Sequence, residues 1–229
     1  MMSKNIEQSP TQFRQSIRTG EHSGNTSGFC QGFVQCNLVI LPAADAADFL
    51  KFCEANPKPC PLIAMSEPGE SSIVKLGADL DIRTDIPSYK IFENGVVTSE
   101  VNDISALWRD DLVAFLLGCS FSFEEALIAD GLEVRNVTEA VNVPMYITNI
   151  NCTPAGPFNG KMVVSMRPFA PTEALRAAEI CAHFPSVHGE PIHYANPQDI
   201  GIADINQPDY GDAVTINDGE HPLFWACGV

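Results

Sequence analysis

The richest chemistry in this chain lies in Gly118-Cys119-Ser120-Phe121-Ser122-Phe123-Glu124, which sets a thiol, two hydroxyls and a carboxylate close together. Upstream, Leu107, Trp108, Leu112, Phe115 and Leu116 recur at helical spacing, and Gly118 stands where a left-handed helix stop belongs. Downstream, Ser122 and Glu125 match an S-x-x-E capping box, which predicts a helix from there to Asp130-Gly131. Cys119 and Ser120 are then expected beside the unpaired N–H groups and positive end of a helix dipole. Such a setting stabilises a thiolate or a bound carboxylate. The competing reading is a small core thiol, since free cysteine is more often a buried hydrophobe than a nucleophile.

Charged residues cluster elsewhere. In Asp81-Ile82-Arg83-Thr84-Asp85-Ile86-Pro87-Ser88-Tyr89 polar and apolar residues alternate, so an extended segment turns Asp81, Arg83 and Asp85 the same way. Arg83 is then either half of a structural ion pair or a rigid guanidinium that clamps a substrate carboxylate. Arg167, in Ser165-Met166-Arg167-Pro168, leaves a strand at its C-terminal end and is the second anion-binding candidate. His188-Gly189-Glu190-Pro191-Ile192-His193 supplies proton-transfer groups. Its histidines do not follow H-x-x-x-H, and no further His or Cys falls at a matching interval, so no metal is expected. Asp209-Tyr210-Gly211-Asp212 and Phe224-Trp225-Ala226-Cys227-Gly228 complete the unusual segments, the latter reading as a core strand with an aromatic anchor.

The bulk properties narrow the setting. A net charge of −16 leaves no basic surplus to neutralise phosphates, which argues against nucleic acid or anionic membrane as partner. The cysteines at 30, 36, 53, 60, 119, 152, 181 and 227 form neither C-x-x-C nor zinc-ribbon spacing, and several sit inside apolar periodic runs. Reduced thiols in a cytoplasmic protein are expected rather than a disulfide framework. Met1-Met2-Ser3-Lys4-Asn5-Ile6-Glu7 has no apolar core for export, and no apolar run reaches membrane-spanning length.

The elements that must position these groups are well punctuated. Ser9, Pro10 and Gln12 open a first helix through a capping box. Gly20 to Gly32 is a loop whose glycines fit no nucleotide-binding pattern. A strand is expected over Phe33–Leu41, a helix over Ala43–Ala55, and a short strand over Leu62–Met65 after the stiff Pro57–Pro61 turn. Asn94-Gly95 between Tyr89–Glu93 and Val96–Ser99 predicts a hairpin. Later come strands at Asn142–Ile150 and Lys161–Met166, a helix from Pro171 to His183, and extended pieces at Ile192–Ala195, Ala213–Ile216 and Leu223–Cys227. The expected class is α/β (mixed α/β and α+β), a larger three-layer α/β/α body with a smaller inserted two-layer α+β unit. Residues 1–132 and 186–229 would form the body, and 133–185 the insert.

Together these segments resemble the hydro-lyase family related to D-glutamate cyclase. The resemblance is carried by Asp81–Tyr89, Gly118–Glu124, Asn142-Val143-Pro144-Met145-Tyr146, Val163–Pro168, His188–His193 with Asp199-Ile200-Gly201, and Pro222–Gly228. It implies a two-part α/β protein and carbon–oxygen lyase activity on a small amino or hydroxy carboxylic acid. The reaction best associated with the family is cyclisation of D-glutamate to 5-oxo-D-proline with loss of water. It also implies a further stretch past the Trp225–Gly228 segment, where relatives continue; if that stretch closes the pocket or completes a strand, this form is incomplete.

Cyclising glutamate needs a base for the attacking amine, an acid for the departing oxygen, and donors for the tetrahedral intermediate. The candidate catalytic groups are Cys119, His188, His193, Asp85 and Glu124; the candidate substrate-binding groups are Arg83, Ser120, Arg167 and Asp212. No cofactor is expected, the partner is a small carboxylate, and a homo-oligomer is compatible with the sequence. The alternatives are a non-catalytic carboxylate-binding or regulatory module, and a hydrolase with Cys119 as nucleophile.

Overall fold

The computed structural model describes residues 8–229, and Met1–Glu7, the segment with no apolar core for export, lies outside the described residues. The chain divides into two compact units. One holds 8–33, 38–46 and 64–115; the other holds 34–37, 47–63 and 116–229. Residues 133–185, expected as an insert, share a unit and a sheet with 186–229.

Helix α1, Pro10–Arg18, starts as its residues dictate: Ser9 accepts from the Gln12 amide and the Gln12 side chain returns to the Ser9 amide. Strand β1 is Cys36–Pro42, helix α2 Ala43–Ala55 and strand β2 Leu62–Met65. Strands β3, Tyr89–Glu93, and β4, Val96–Val101, pair antiparallel about Asn94-Gly95. Both turn residues have positive φ, 52° and 78°, the backbone a two-residue hairpin with the native twist requires. Strand β5, Leu112–Gly118, is buried along its whole length and lies between β1 and β2 in a three-stranded sheet.

The helix expected from the spacing of Leu107–Leu116 is not formed; the segment enters strand β5 instead. Leu112-Val113-Ala114-Phe115-Leu116-Leu117 is an unbroken apolar run, and a strand covered on both faces has no alternation to distinguish it from a buried helix. The expected strand at Ala213–Ile216 is irregular chain instead. The Asp81–Pro87 segment is a series of turns and bends, not an extended strand, so its alternating side chains do not share one face.

Past β5 come α3, Phe121–Ala129, and the single turn α4, Arg135–Thr138. Strands β6, Met145–Asn151, and β7, Lys161–Phe169, are followed by helix α5, Pro171–Ala182, then β8, His193–Tyr194, and β9, His221–Cys227. The antiparallel sheet runs β6-β7-β9-β8. Its two faces are drawn from alternate residues. Phe169 of β7 and Leu223 and Trp225 of β9 join Phe123 and Leu127 of α3 and Ala177 and Cys181 of α5 in one apolar cluster. Val164 and Met166 of β7 and Phe224 of β9 join Tyr146, Ile200, Ile202 and Val214 in another. Arg167, one step from Met166, therefore belongs to the helix-covered face. The class is mixed α/β, as the sequence implies. Among the described residues, no helix is long and apolar enough to cross a membrane.

Candidate active site

The thiol-bearing bend joins a strand to a helix rather than two helices. Gly118, the last residue of β5, is not in a left-handed conformation; the backbone of Ser186 packs against its α-carbon. A Cβ there would land on the Ser186 carbonyl oxygen and stand 2.8 Å from Val187 Cγ1. Glycine thus lets the 186–188 segment meet the bend. Helix α3 is N-capped at Ser120 without a side-chain cap bond, so the expected Ser122–Glu125 capping box does not form. The Ser122 hydroxyl instead accepts from the Gln35 amide at 2.9 Å.

Between this bend and β7 lies a dry polar network. Arg167 is wholly buried and Glu124 is 3% exposed. The guanidinium donates to Glu124 Oε1 from Nε at 3.1 Å and from Nη2 at 2.5 Å, to Ser120 Oγ at 3.1 Å and to Ser165 Oγ at 3.1 Å. Asn136 Nδ2 donates to the same Glu124 oxygen at 3.2 Å, while Asn136 Oδ1 is buried with no partner. The rings of Phe123 and Trp225 lie 5.0 and 5.5 Å from the guanidinium carbon. An Arg–carboxylate pair so desolvated holds only because hydrogen bonds meet its remaining donors and acceptors.

His188 is 1% exposed and adopts φ 88°, a left-handed backbone that a non-glycine residue takes at a cost of about 1–3 kcal/mol. Its Nδ1 lies 2.7 Å from the Lys58 carbonyl oxygen. A carbonyl only accepts, so Nδ1 carries the proton and Nε2 presents a lone pair. Nε2 is buried without a hydrogen-bond partner. Burial pushes the imidazole down to about 4, and the Arg167 charge lowers it further, against the opposing pull of the Lys58 and Gly118 carbonyls. At neutral pH the ring is an uncharged base. Cys119 departs from expectation: burial pushes its thiol up to about 12, outweighing the Phe121 amide that donates to its sulphur. At neutral pH the group is therefore held as a thiol rather than a thiolate.

Residues 113–229, from β5 onward, match the pattern of the family described as D-glutamate cyclase. A protein of Azorhizobium caulinodans named "Putative hydro-lyase" is 57% identical over 216 residues, 94% of this chain and 79% of its own length. Relatives of the same general name in Bordetella petrii and Bordetella pertussis are 56% and 57% identical, covering 97% and 95% of this chain and 85% and 79% of theirs. The chain belongs to the D-glutamate cyclase family. As a member of the D-glutamate cyclase family it is an enzyme of the lyase class.

The matched region of this D-glutamate cyclase family member contains Cys119, Ser120, Glu124, Arg167 and His188. Arg167 bonds directly to Ser120 and Glu124, and its charge acts on both Cys119 and His188. The other candidates are engaged elsewhere. His193 Nε2 lies 2.7 Å from the Asn196 carbonyl oxygen, half-exposed on β8. Asp212, exposed, accepts from the Asn142 amide at 2.9 Å. Arg83 and Asp85 belong to the other unit. Arg83 is half-exposed and donates to Asp81 from Nε at 2.9 Å and Nη2 at 2.7 Å, the structural-pair arrangement weighed from sequence. Asp85 is buried and accepts from Arg18 Nε and Nη2 and from the Asp81 amide. Ser165 and Asn136 escape sequence reasoning. Ser165 had a signal, standing two residues before Arg167 on the same strand face; Asn136 had none.

Proposed function

We propose that this family member is a hydro-lyase acting on a small amino or hydroxy carboxylic acid, and that D-glutamate, closed to 5-oxo-D-proline with release of water, is its substrate. The observation that carries the reading is His188: a buried neutral imidazole whose bare Nε2 has no partner, within reach of the Arg167 charge. Its family supports the reaction class. In the cyclisation the amine nitrogen bonds to the side-chain carboxyl carbon and one carbon–oxygen bond breaks. His188 Nε2 takes the amine proton as the C–N bond forms. Cys119, held as a thiol by burial, has a proton to give to the departing oxygen. Ser120 Oγ accepts from Arg167, so its own O–H remains free to donate to the oxyanion of the tetrahedral intermediate. Arg167, its charge matched by Glu124 and its plane fixed by Glu124 and Ser165, holds the Ser120 hydroxyl in position. Unpaired cysteines at all eight positions support a cytoplasmic setting.

The test is chromatographic detection of 5-oxoproline after incubation with D-glutamate. The reading expects product from the wild-type chain and a fall of about 100-fold or more in His188→Gln, the scale of general base loss. No product at high enzyme concentration, with L-glutamate and small hydroxy acids also unchanged, overturns it.

A further inference from the structure

The lone pair on His188 Nε2 exists because the Lys58 carbonyl, 2.7 Å from Nδ1, keeps the proton on the other nitrogen. What holds that carbonyl lies away from the reacting groups. Lys58 stands between Pro57 and Pro59. A proline fixes its own φ and disfavours the α region for the residue before it, so both neighbours stiffen the chain through Lys58. The Cys60 amide donates to the Asn56 carbonyl at 3.0 Å and closes the turn over Pro57-Lys58-Pro59. Just past it the Pro61 carbonyl accepts from the Gly118 amide at 2.8 Å, fastening that end to the last residue of β5.

The other end hangs on the side chain of Asn56, which is 6% exposed. Its Nδ2 donates to the Phe52 carbonyl at 2.8 Å and to the Thr153 carbonyl at 2.9 Å, and its Oδ1 accepts from the Thr153 amide at 2.7 Å. Turning the amide over would set its oxygen against two carbonyls and its NH2 against an N–H, so one orientation satisfies all three bonds. Asn56 thereby ties the turn to the last turn of α2 and to the chain just past β6. The Lys58 side chain adds a clasp of another kind: Nζ donates to Glu190 Oε1 at 2.8 Å and to the Glu190 carbonyl at 3.2 Å. Both side chains of that ion pair are exposed, and such pairs contribute little. The imidazole is held by the main chain of Lys58, not by its charge.

We infer that Asn56 is a positioning residue: through the turn it anchors, it keeps the Lys58 carbonyl on His188 Nδ1 and so keeps the lone pair on Nε2. Asn56 itself touches no reacting group. Without its amide, the Thr153 N–H and two carbonyls are left unpaired in a buried place, and the main chain must shift to meet them. The turn then loses its hold at one end, and the Lys58 carbonyl drifts from Nδ1. The ring is released to its second neutral tautomer, with the proton on Nε2, which cannot accept one from an amine. The consequence for turnover rests on the hydro-lyase reading; the tautomer itself does not.

The experiment labels the histidines of the full chain with nitrogen-15 and reads their tautomers by NMR at neutral pH, the His188 signals being assigned by their loss in His188→Gln. The wild type is expected to show one tautomer, with the proton on Nδ1. In Asn56→Ala the two ring nitrogens are expected to draw together in shift as the second tautomer is populated. Turnover of D-glutamate is expected to lose about tenfold in kcat with KM unchanged, part of the roughly 100-fold a general base supplies. Pro57→Ala, at an exposed residue that donates no backbone hydrogen bond, is expected to move the shifts the same way by less, and it serves where Asn56→Ala does not fold. Lys58→Ala keeps the carbonyl and is expected to keep the wild-type tautomer. A wild-type tautomer in folded Asn56→Ala, or in Pro57→Ala where it alone folds, overturns the inference, as does a tautomer mixture in the wild type. A shift in Lys58→Ala as large as that in Asn56→Ala overturns it too, by assigning the hold to the ion pair. In a chain that makes 5-oxoproline, a changed tautomer with unchanged kcat overturns the positioning role. Absence of 5-oxoproline from the wild type counts against the proposed reaction alone and leaves the nitrogen shifts intact.

Discussion

Arg167 and Glu124 meet on the helix-covered face of the second unit's sheet, joined from both Nε and Nη2 to a single carboxylate oxygen at 3.1 and 2.5 Å. Water reaches neither side chain to any useful extent. Removing one partner therefore strands a charge in a medium that cannot solvate it, whereas removing both leaves only a packing problem.

Glu124→Ala is expected to lower unfolding stability by about 3–5 kcal/mol, the cost of an uncompensated buried charge. The double variant Glu124→Leu with Arg167→Met is expected to recover a large part of that loss. Urea titrations of the three proteins measure the difference. A double variant weaker than the single would show that the pair's hydrogen bonds, not its charges, hold the region.

His188 gives stability a dependence on pH. Its folded pKa, about 4, lies below the ordinary value of 6.5, so the unfolded chain binds the proton more readily. The contribution is fully present above pH 6.5 and is lost as pH falls toward 4. A depression of this size corresponds to about 3 kcal/mol at 1.36 kcal/mol per unit. Denaturation midpoints from pH 7 to pH 4 are expected to fall more steeply in the wild type than in His188→Gln, and parallel curves would rule the burial out.

The Cys119 thiol keeps its proton well above neutrality. Iodoacetamide at pH 8 is expected to leave Cys119 unmodified over a time in which a free thiol with a pKa of about 8.5 reacts fully. Peptide mapping reads this directly. Fast alkylation at Cys119 would restore the thiolate expected from its place before α3.

Gly118→Ala places a methyl group against the Ser186 carbonyl and Val187. The backbone must shift, at an expected cost of about 1–3 kcal/mol. If D-glutamate turnover depends on the 186–188 segment, kcat falls more than stability alone explains; Gly95→Ala, on the hairpin, leaves it unchanged.

Local signals were legible where local chemistry decided the outcome. The Ser9–Gln12 box, the α2 limits and the Asn94-Gly95 turn all stand where the residues place them. Strand β5 was misread because its apolar run carries no period once both faces are covered. The Cys119 environment was misjudged for a related reason: a dipole is visible from a helix start, but desolvation depends on what packs above it. Arg167 and Glu124 were each singled out, yet their pairing spans 43 positions of sequence and two element types, and nothing local announces it. Asn136 had no pattern at all, since its meaning is only that of a second donor to Glu124.

The alternation along β7 has one more result. Met166 and Arg167 sit on opposite faces, so sliding the strand by a single residue would thrust a guanidinium among Tyr146, Ile200 and Phe224 and leave Glu124 facing a thioether. A mispaired sheet would thus carry a penalty far above that of exchanging one aliphatic for another. The ion pair thus favours the observed register of β7 over one displaced by a residue.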